Sequence, residues 1–409
     1  MPEFRSPGVY LEEFSGQPKS IQGLSTSTAG FVGPTHTGPL ALPQDALTSL
    51  AEFERTYGDG QPLQFDGAPP TPNFMWHAAR AFFENGGARL YVARVFSPRS
   101  PGGAPNQGND GRRPTAADFA GAIDPATSQP TGLNAFESVD EISVVAAPGA
   151  TFGYKDNSAD ANATVGLLIS HAAQMRYRIA LLDSGDGQSV DDACTLRATL
   201  DSSYAALYYP WVTVLDPVTG APLNLPPSGF IAGIYARNDD ARGVSKFPAN
   251  LAVNLAIGLE TTLDRAQQNG LNPLGINSIR FFAGRGYRVW GARTTSSDPE
   301  WKYVGLRRYF AYLEHSIDQG TQWTVFEPNG EPLWARVRQT ISNFLSNEWR
   351  NGALQGTKPD DAYFVRCDRT TMTQEDIDNG RLVVLVGVAP LRPAEFVIFR
   401  IGQWTADRS

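Results

Sequence analysis

Apolar positions in the middle of the chain come in short, near-continuous runs. "ISVVAAPG" (142–149), "RIALLD" (178–183) and "AALYYPWVTVLD" (205–216) predict strands, and between them "ADANATVGLLISHAAQM" (159–175) and "SVDDACTLRATL" (189–200) carry helical periodicity. Apolar strands alternating with amphipathic helices predict a largely parallel sheet covered on both faces. Upstream, residues 25–96 predict a strand, a turn at Gly33–Pro34, a helix near "TPNFMWHAARAFFENGG" and a strong strand ending at Phe96. Downstream, Asp298 and Pro299 predict an N-cap and first turn. Leu306, Phe310, Leu313 and Ile317 would share one face of that helix, and Gly320 would end it. A second helix is expected from Pro332 to Gly352, with Trp334, Val337, Ile341 and Leu345 as its apolar stripe and Arg336, Arg338 and Arg350 off it. The strand "RLVVLVGVAP" (381–390) follows.

Two kinds of segment fall outside this pattern. Residues 97–132 are dominated by Pro, Gly and small polar residues and cannot build a core, so they read as a surface loop with one short helix near Phe119. The other kind is a pair of β-prone ends. "PGVYLEEF" (7–14) precedes a polar "GQPKSIQG" linker, and "RPAEFVIFRIGQW" (392–404) closes the chain. In the latter, Phe396, Ile398 and Arg400 alternate with Val397, Phe399 and Ile401, so both strand faces are apolar. Such a strand either tucks into the protein's own sheets or is exchanged between subunits as an added strand; the residues alone leave both open.

Composition narrows the function. With 409 residues, 41% hydrophobic, 40 Gly and 30 Pro, the chain can build two or three turn-rich cores. The net charge is −8 and no dense basic run occurs, so nucleic acid is not expected as a partner. Lys occurs only at 19, 155, 246, 302 and 358; the remaining cations are Arg, which suits fixed protein interfaces. "MPEFRSPGVY" lacks the apolar centre of a signal peptide and no run is long enough for a membrane helix. Synthesis in the cytoplasm, without membrane insertion, is the expectation. Cys194 and Cys367 are isolated and read as buried free thiols, with no disulfide framework, metal site or cofactor indicated.

A catalytic site finds little support. The predicted strand ends present Asp183, Asp186 and Asp216, which could act as general bases in a hydrolase-like enzyme but also suit turns and helix caps. No Gly is followed by Lys, which excludes a phosphate loop, and "GRGYRVWG" (284–291) has the wrong glycine spacing for a dinucleotide site. "STSTAG" (25–30) and "LLDSG" (181–185) are faintly similar to subtilase segments. The chain order Asp, His, Ser of that family is not kept, because the Ser-like segment comes first. His36, His77, His171 and His315 are single residues read as solvated or satisfied.

Longer segments carry a more specific likeness. "PPSGFIAGIYARNDDARGVSKFPAN" (226–250), "RVWGARTTSSDPEWKYVGLRRYFAYLEHSI" (288–317), "FEPNGEPLWARVRQTISNFL" (326–345), "TMTQEDIDNGRL" (371–382), "GVAPLRPAEFVIFRIGQ" (387–403) and the N-terminal 6–39 resemble contractile tail sheath proteins of phages, tailocins and extracellular injection systems. The resemblance implies a non-enzymatic structural subunit without cofactor. The implied fold is multidomain α/β, with a subtilisin-like middle domain built on a mostly parallel sheet with helices on both faces. An α+β core domain from N- and C-terminal parts and extended β arms at both termini complete it. The corresponding divisions are 1–22 (arm and linker), 23–96 (first part of the core domain), 97–132 (loop), 133–280 (middle domain), 281–390 (C-terminal domain) and 391–409 (arm). Carried onto this sequence, Val9, Tyr10, Leu11 and Phe14, with Phe396, Val397, Ile398, Phe399 and Ile401, are the arm residues reaching neighbouring subunits. From the residues themselves, Arg336, Arg338 and Arg350 form a basic stripe that could meet an inner tube or stand as a plain solvated face. The implied partners are copies of the chain in stacked hexameric rings, the tube, and baseplate and tail-terminator proteins, within a phage tail or tail-like particle. A static baseplate protein and a hydrolase-like enzyme using Asp183 or Asp216 are the rival readings.

Overall fold

Short apolar runs bounded by Gly, Pro or Asp become strands, and the longer periodic stretches become helices. The computed structural model describes residues 20–98 and 110–396, without 126, together with 398. The expected arm residues Val9, Tyr10, Leu11, Phe14, Val397, Phe399 and Ile401 lie outside the described residues.

The strands are β1 (Thr28–Pro34), β2 (Arg89–Val95), β3 (Val144–Ala146), β4 (Ile179–Asp183), β5 (Ala205–Tyr209), β6 (Val212–Leu215), β7 (Pro222–Leu225), β8 (Gly258–Leu259), β9 (Ile276–Phe282), β10 (Gly286–Val289), β11 (Tyr363–Arg366) and β12 (Leu385–Val388). The helices are α1 (Leu50–Tyr57), α2 (Phe74–Glu84), α3 (Ala116–Ala120), α4 (Tyr154–Met175), α5 (Val190–Ala198), α6 (Ser228–Arg242), α7 (Arg265–Leu271), α8 (Val304–Thr321), α9 (Glu331–Arg350), α10 (Pro359–Ala362) and α11 (Gln374–Asp378).

Seven strands form one sheet in the order β10-β9-β5-β4-β3-β1-β2, parallel throughout except for the β9–β10 hairpin. Successive side chains go to opposite faces. Phe31, Val92, Val144, Leu181 and Tyr208 pack with α1, α2 and α6, whereas Val32, Ala93, Val145, Leu182 and Leu207 pack with α3, α4, α5 and α7. This is the mostly parallel, doubly covered sheet expected from the alternation. Helices α2 and α6 approach unusually closely because Gly229 and Gly233 face α2. A Cβ on Gly233 would lie 2.3 Å from the Phe82 carbonyl oxygen, and one on Gly229 2.7 Å from Ala78 Cα.

Two compact units divide the described residues. The sheet unit comprises 23–315 with 391–396 and 398; the C-terminal unit comprises 20–22 and 316–390. The sheet draws strands from both 23–96 and 133–280, so the division expected at 132/133 falls inside the sheet unit. In the C-terminal unit, α9 packs against the two-stranded antiparallel sheet of β11 and β12.

Several local expectations need correction. "AALYYPWVTVLD" is two strands: β5 ends at Tyr209 and β6 belongs to a separate antiparallel sheet, β7-β6-β8, because Pro210 has no N–H with which to continue the ladder. Helix α1 was not foreseen; Ser49 caps it by accepting from the Glu52 N–H, and Phe53 and Tyr57 are buried. Asp298 and Pro299 open only a 3-10 turn, and the α-helix begins at Val304. Gly320 is the penultimate residue of that helix, which ends at Thr321, one residue from the expected stop. The bare Cα of Gly320 accommodates Ile21, whose Cγ1 would lie 2.5 Å from an added Cβ. Cys367 is buried as expected, but Cys194 is only half-buried.

Candidate functional site

The C-terminal segment is fixed to the sheet unit at one carboxylate. Pro393 disfavours a helical Arg392 and keeps the chain extended. Two residues later, Glu395 meets a ring of donors. Arg293 binds it with a planar fork, Nε to Oε1 and Nη2 to Oε2, both at 2.8 Å. Asn272 Nδ2 donates to Oε1 at 3.0 Å and Tyr303 OH to Oε2 at 2.9 Å, while Lys302 Nζ stands 3.6 Å from Oε2.

The donors are held in turn. Asn277 on β9 accepts from the Arg293 N–H (2.7 Å) and donates to its carbonyl (2.8 Å), and Arg293 Nη1 donates to the Asn272 carbonyl (2.8 Å). Tyr303 packs edge-on against Phe247. Burial alone would raise the Glu395 pKa, but hydrogen bonds from Arg293, Asn272 and Tyr303, with the Arg293 charge, hold it at about 2. Immediately beyond this anchor the chain turns apolar and outward: Phe396 is 71% exposed and Ile398 80%.

A second feature, in the C-terminal unit, is the β11–β12 hairpin. It stands as a two-stranded sheet, so neither outer edge has a strand partner among the described residues. Phe364 and Leu385 are half-exposed on it. Gly387 faces Phe364, whose ring would lie 2.2 Å from an added Cβ, so the ring covers the bare backbone of the opposite strand. A lone two-stranded sheet is marginal in water and gains from further strands.

The candidate catalytic acids are occupied as caps and turns. Asp183 is buried and accepts from the Ser228 N–H (2.7 Å) and Oγ (2.6 Å) at the start of α6. Burial raises its pKa to about 7 against those two bonds. Asp186 accepts from the Tyr154 N–H at the start of α4, and Asp216 from the Val218 N–H and the Thr219 hydroxyl in its own turn. His36 bridges Asp110 and the Gln61 carbonyl, His171 contacts Arg178, and His315 stacks on Tyr177. His77 departs from the expectation of a solvated or satisfied ring: it is buried, Nδ1 has no hydrogen-bond partner, and burial lowers its pKa to about 4. No cluster of three or more His, Cys, Asp or Glu suited to a metal occurs among the described residues, and no helix of the described residues is long and apolar enough to cross a membrane.

The three arginines of α9 are not alike. Arg336 is exposed, pairs with Glu327 and lies over Trp323; Arg350 is exposed; Arg338 turns inward and donates to the Cys367 carbonyl. Sequence reasoning missed Glu395 and its donors. Those partners lie 92 to 123 residues away, and no local spacing signals them.

With this geometry in hand, comparisons with known proteins are informative. Residues 116–295 match the phage tail sheath protein central domain and 296–403 the phage tail sheath C-terminal domain. The chain is similar to the helical sheath of the anti-feeding prophage in its contracted state, with 32% identity, 98% of this chain and 100% of that chain covered, and a TM-score of 0.73. It is also similar to the contracted PVC sheath complex of an extracellular contractile injection system, with 28% identity, full coverage of both chains and a TM-score of 0.74. The tail sheath protein of Vibrio phage KVP40 is 26% identical over 233 residues, 55% of this chain; the chain spans 33% of that relative's length.

Proposed function

Because the chain belongs to the phage tail sheath family, we propose that it is a sheath subunit that polymerises helically with its own copies around an inner tube and contracts to drive that tube through a target envelope. The observation that carries this reading is an anchored root followed by exposed apolar residues. Glu395 is held by five hydrogen-bond or ionic contacts, and Phe396 and Ile398 emerge from it into solvent.

The two open edges of the β11–β12 hairpin supply the complementary half. In this reading they receive the arms of neighbouring copies, one edge taking a strand around Val9, Tyr10, Leu11 and Phe14 and the other the strand Phe396–Ile401. Backbone pairing holds the lattice, and the alternating apolar residues set its register. The subunit works as a structural element without catalysis. Contraction draws on the free-energy difference between an extended and a tighter, wider packing, with the arms staying engaged and no nucleotide consumed. Rings of six copies, contacts of Arg336 and Arg350 with the tube, and end contacts with baseplate and terminator proteins complete the assembly within a phage tail or tail-like particle.

The test is truncation. Full-length protein is expected to form hollow striated cylinders in negative stain, and a chain lacking 394–409 to stay folded but monomeric. Normal cylinders from the truncated chain would refute the arm mechanism, and ATP-dependent contraction of purified particles would refute the stored-energy mechanism.

A further inference from the structure

The loop between α8 and α9 displays an aromatic side chain that the subunit itself does not use. Val325 is 59% exposed and Phe326 103%. Phe326 also adopts φ +66°, the left-handed region that a bulky L-residue rarely enters. The flanks are tied down. The Val325 N–H donates to the Gln322 carbonyl and the Glu327 N–H to the Thr324 carbonyl. Glu327 Oε2 accepts from Arg336 (2.8 Å), and Asn329 bridges Trp334 Nε1 and the Arg381 carbonyl. A braced loop that holds its largest apolar side chain outward in a strained conformation is organised for a partner.

The sheet unit carries a cleft of about 350 Å³ lined by Cys194, Arg197, Pro273, Leu274, Pro299 and Lys302. Leu274 is 44% exposed there, and Arg197 Nε is buried without a hydrogen-bond partner although Nη1 donates to the Leu200 carbonyl. Asp298 also lines it and Lys302 stands on Glu395, so what the cleft offers is apolar wall beside the Arg197 guanidinium, which suits an aromatic ring. Phe326 supplies such a ring.

We propose that Phe326 of one copy seats in the Leu274–Arg197 cleft of a second copy, with Glu327 kept on Arg336 so that the loop stays braced. Knob and cleft are different patches of one chain, so the contact is heterologous, the kind from which rings and helical arrays are built. This rests on the sheath reading and adds to it a contact between folded bodies, separate from the exchanged arms.

Cys194 in the cleft makes the contact testable in the assembled full-length protein. The variant Phe326→Cys, with buried Cys367→Ser, is expected to give a ladder of disulfide-linked multimers after mild oxidation of the polymer. Adding Cys194→Ser should abolish the ladder. Phe326→Asn, which keeps the left-handed loop, is expected to retain the wild-type melting temperature while raising the concentration needed for assembly at least about tenfold. Polymers that form normally yet give no Cys194-dependent ladder would overturn the proposal, as would wild-type assembly by Phe326→Asn. A ladder from Phe14→Cys in place of Phe326→Cys would assign the cleft to the N-terminal arm and also overturn it. Failure of the wild-type chain to polymerise would instead remove the sheath reading, and this contact with it.

Discussion

Replacing Glu395 by Gln should loosen the root of the C-terminal arm by an amount that can be worked out in two ways. The side chain of Glu395 is 19% exposed and that of Arg293 7%. Breaking a fully buried ion pair by removing one partner costs about 3–5 kcal/mol, whereas exposed pairs contribute about 0–1 kcal/mol. This partly screened pair should therefore cost about 2 kcal/mol. The second route is the pKa, depressed from 4.5 to about 2. At 1.36 kcal/mol per unit this corresponds to about 3 kcal/mol before screening by solvent, and about 2 kcal/mol after it. Gln keeps one acceptor but turns an N–H₂ donor toward Arg293 or Tyr303, so the fork cannot re-form.

A loss of about 2 kcal/mol multiplies the detached population of the root roughly 30-fold. Hydrogen exchange at pH 7 of a peptide covering 388–396 should accelerate by that factor in Glu395→Gln, with the β1–β5 amides unchanged. The folded-state pKa lies below the unfolded value, so the stabilisation is complete above about pH 4.5 and is lost as pH falls toward 2. The wild-type root should accordingly loosen across that window, and the variant should show no such step. Exchange in the variant within twofold of wild type would refute the clamp.

Other expectations follow from single contacts. Gly233→Ala places a Cβ 2.3 Å from the Phe82 carbonyl in the α2–α6 contact and should cost about 1–3 kcal/mol; an unchanged calorimetric midpoint would count against that close packing. Asp183 has a folded-state pKa raised to about 7, so wild-type stability should fall as pH rises from about 4 to 7. Asp183→Asn should flatten that slope while leaving assembly intact, and loss of assembly would point to a role beyond capping α6. Gly387→Val should drive Phe364 off the β11–β12 hairpin and abolish polymerisation of an otherwise folded chain; wild-type cylinders from this variant would argue against the hairpin as the receiver of exchanged strands.

The elements that were legible in the sequence are those whose signal is local. The runs at 142–149 and 178–183 need no distant information to be read as buried strands, because strand and helix periods are properties of a few adjacent residues. The α/β class, helices α4, α8 and α9 and the family likeness all follow from such segments. Local signals also misled. Asp298 and Pro299 read as the start of an α-helix, but they open a 3-10 turn and the α-helix begins at Val304.

Tertiary structure decided what pairs with what. That 28–34 and 89–95 join the same sheet as 276–282, and that "AALYYPWVTVLD" divides between two sheets, depends on backbone partners tens to hundreds of residues away. The clamp on Glu395 is the clearest case. One glutamate among 42 acidic residues has no distinguishing neighbours in sequence, and only the fold brings Asn272, Arg293, Lys302 and Tyr303 to it. Periodicity constrains a residue's side of an element, but electrostatic and hydrogen-bond selection acts between groups a few ångströms apart, and those distances exist only once the chain has closed on itself.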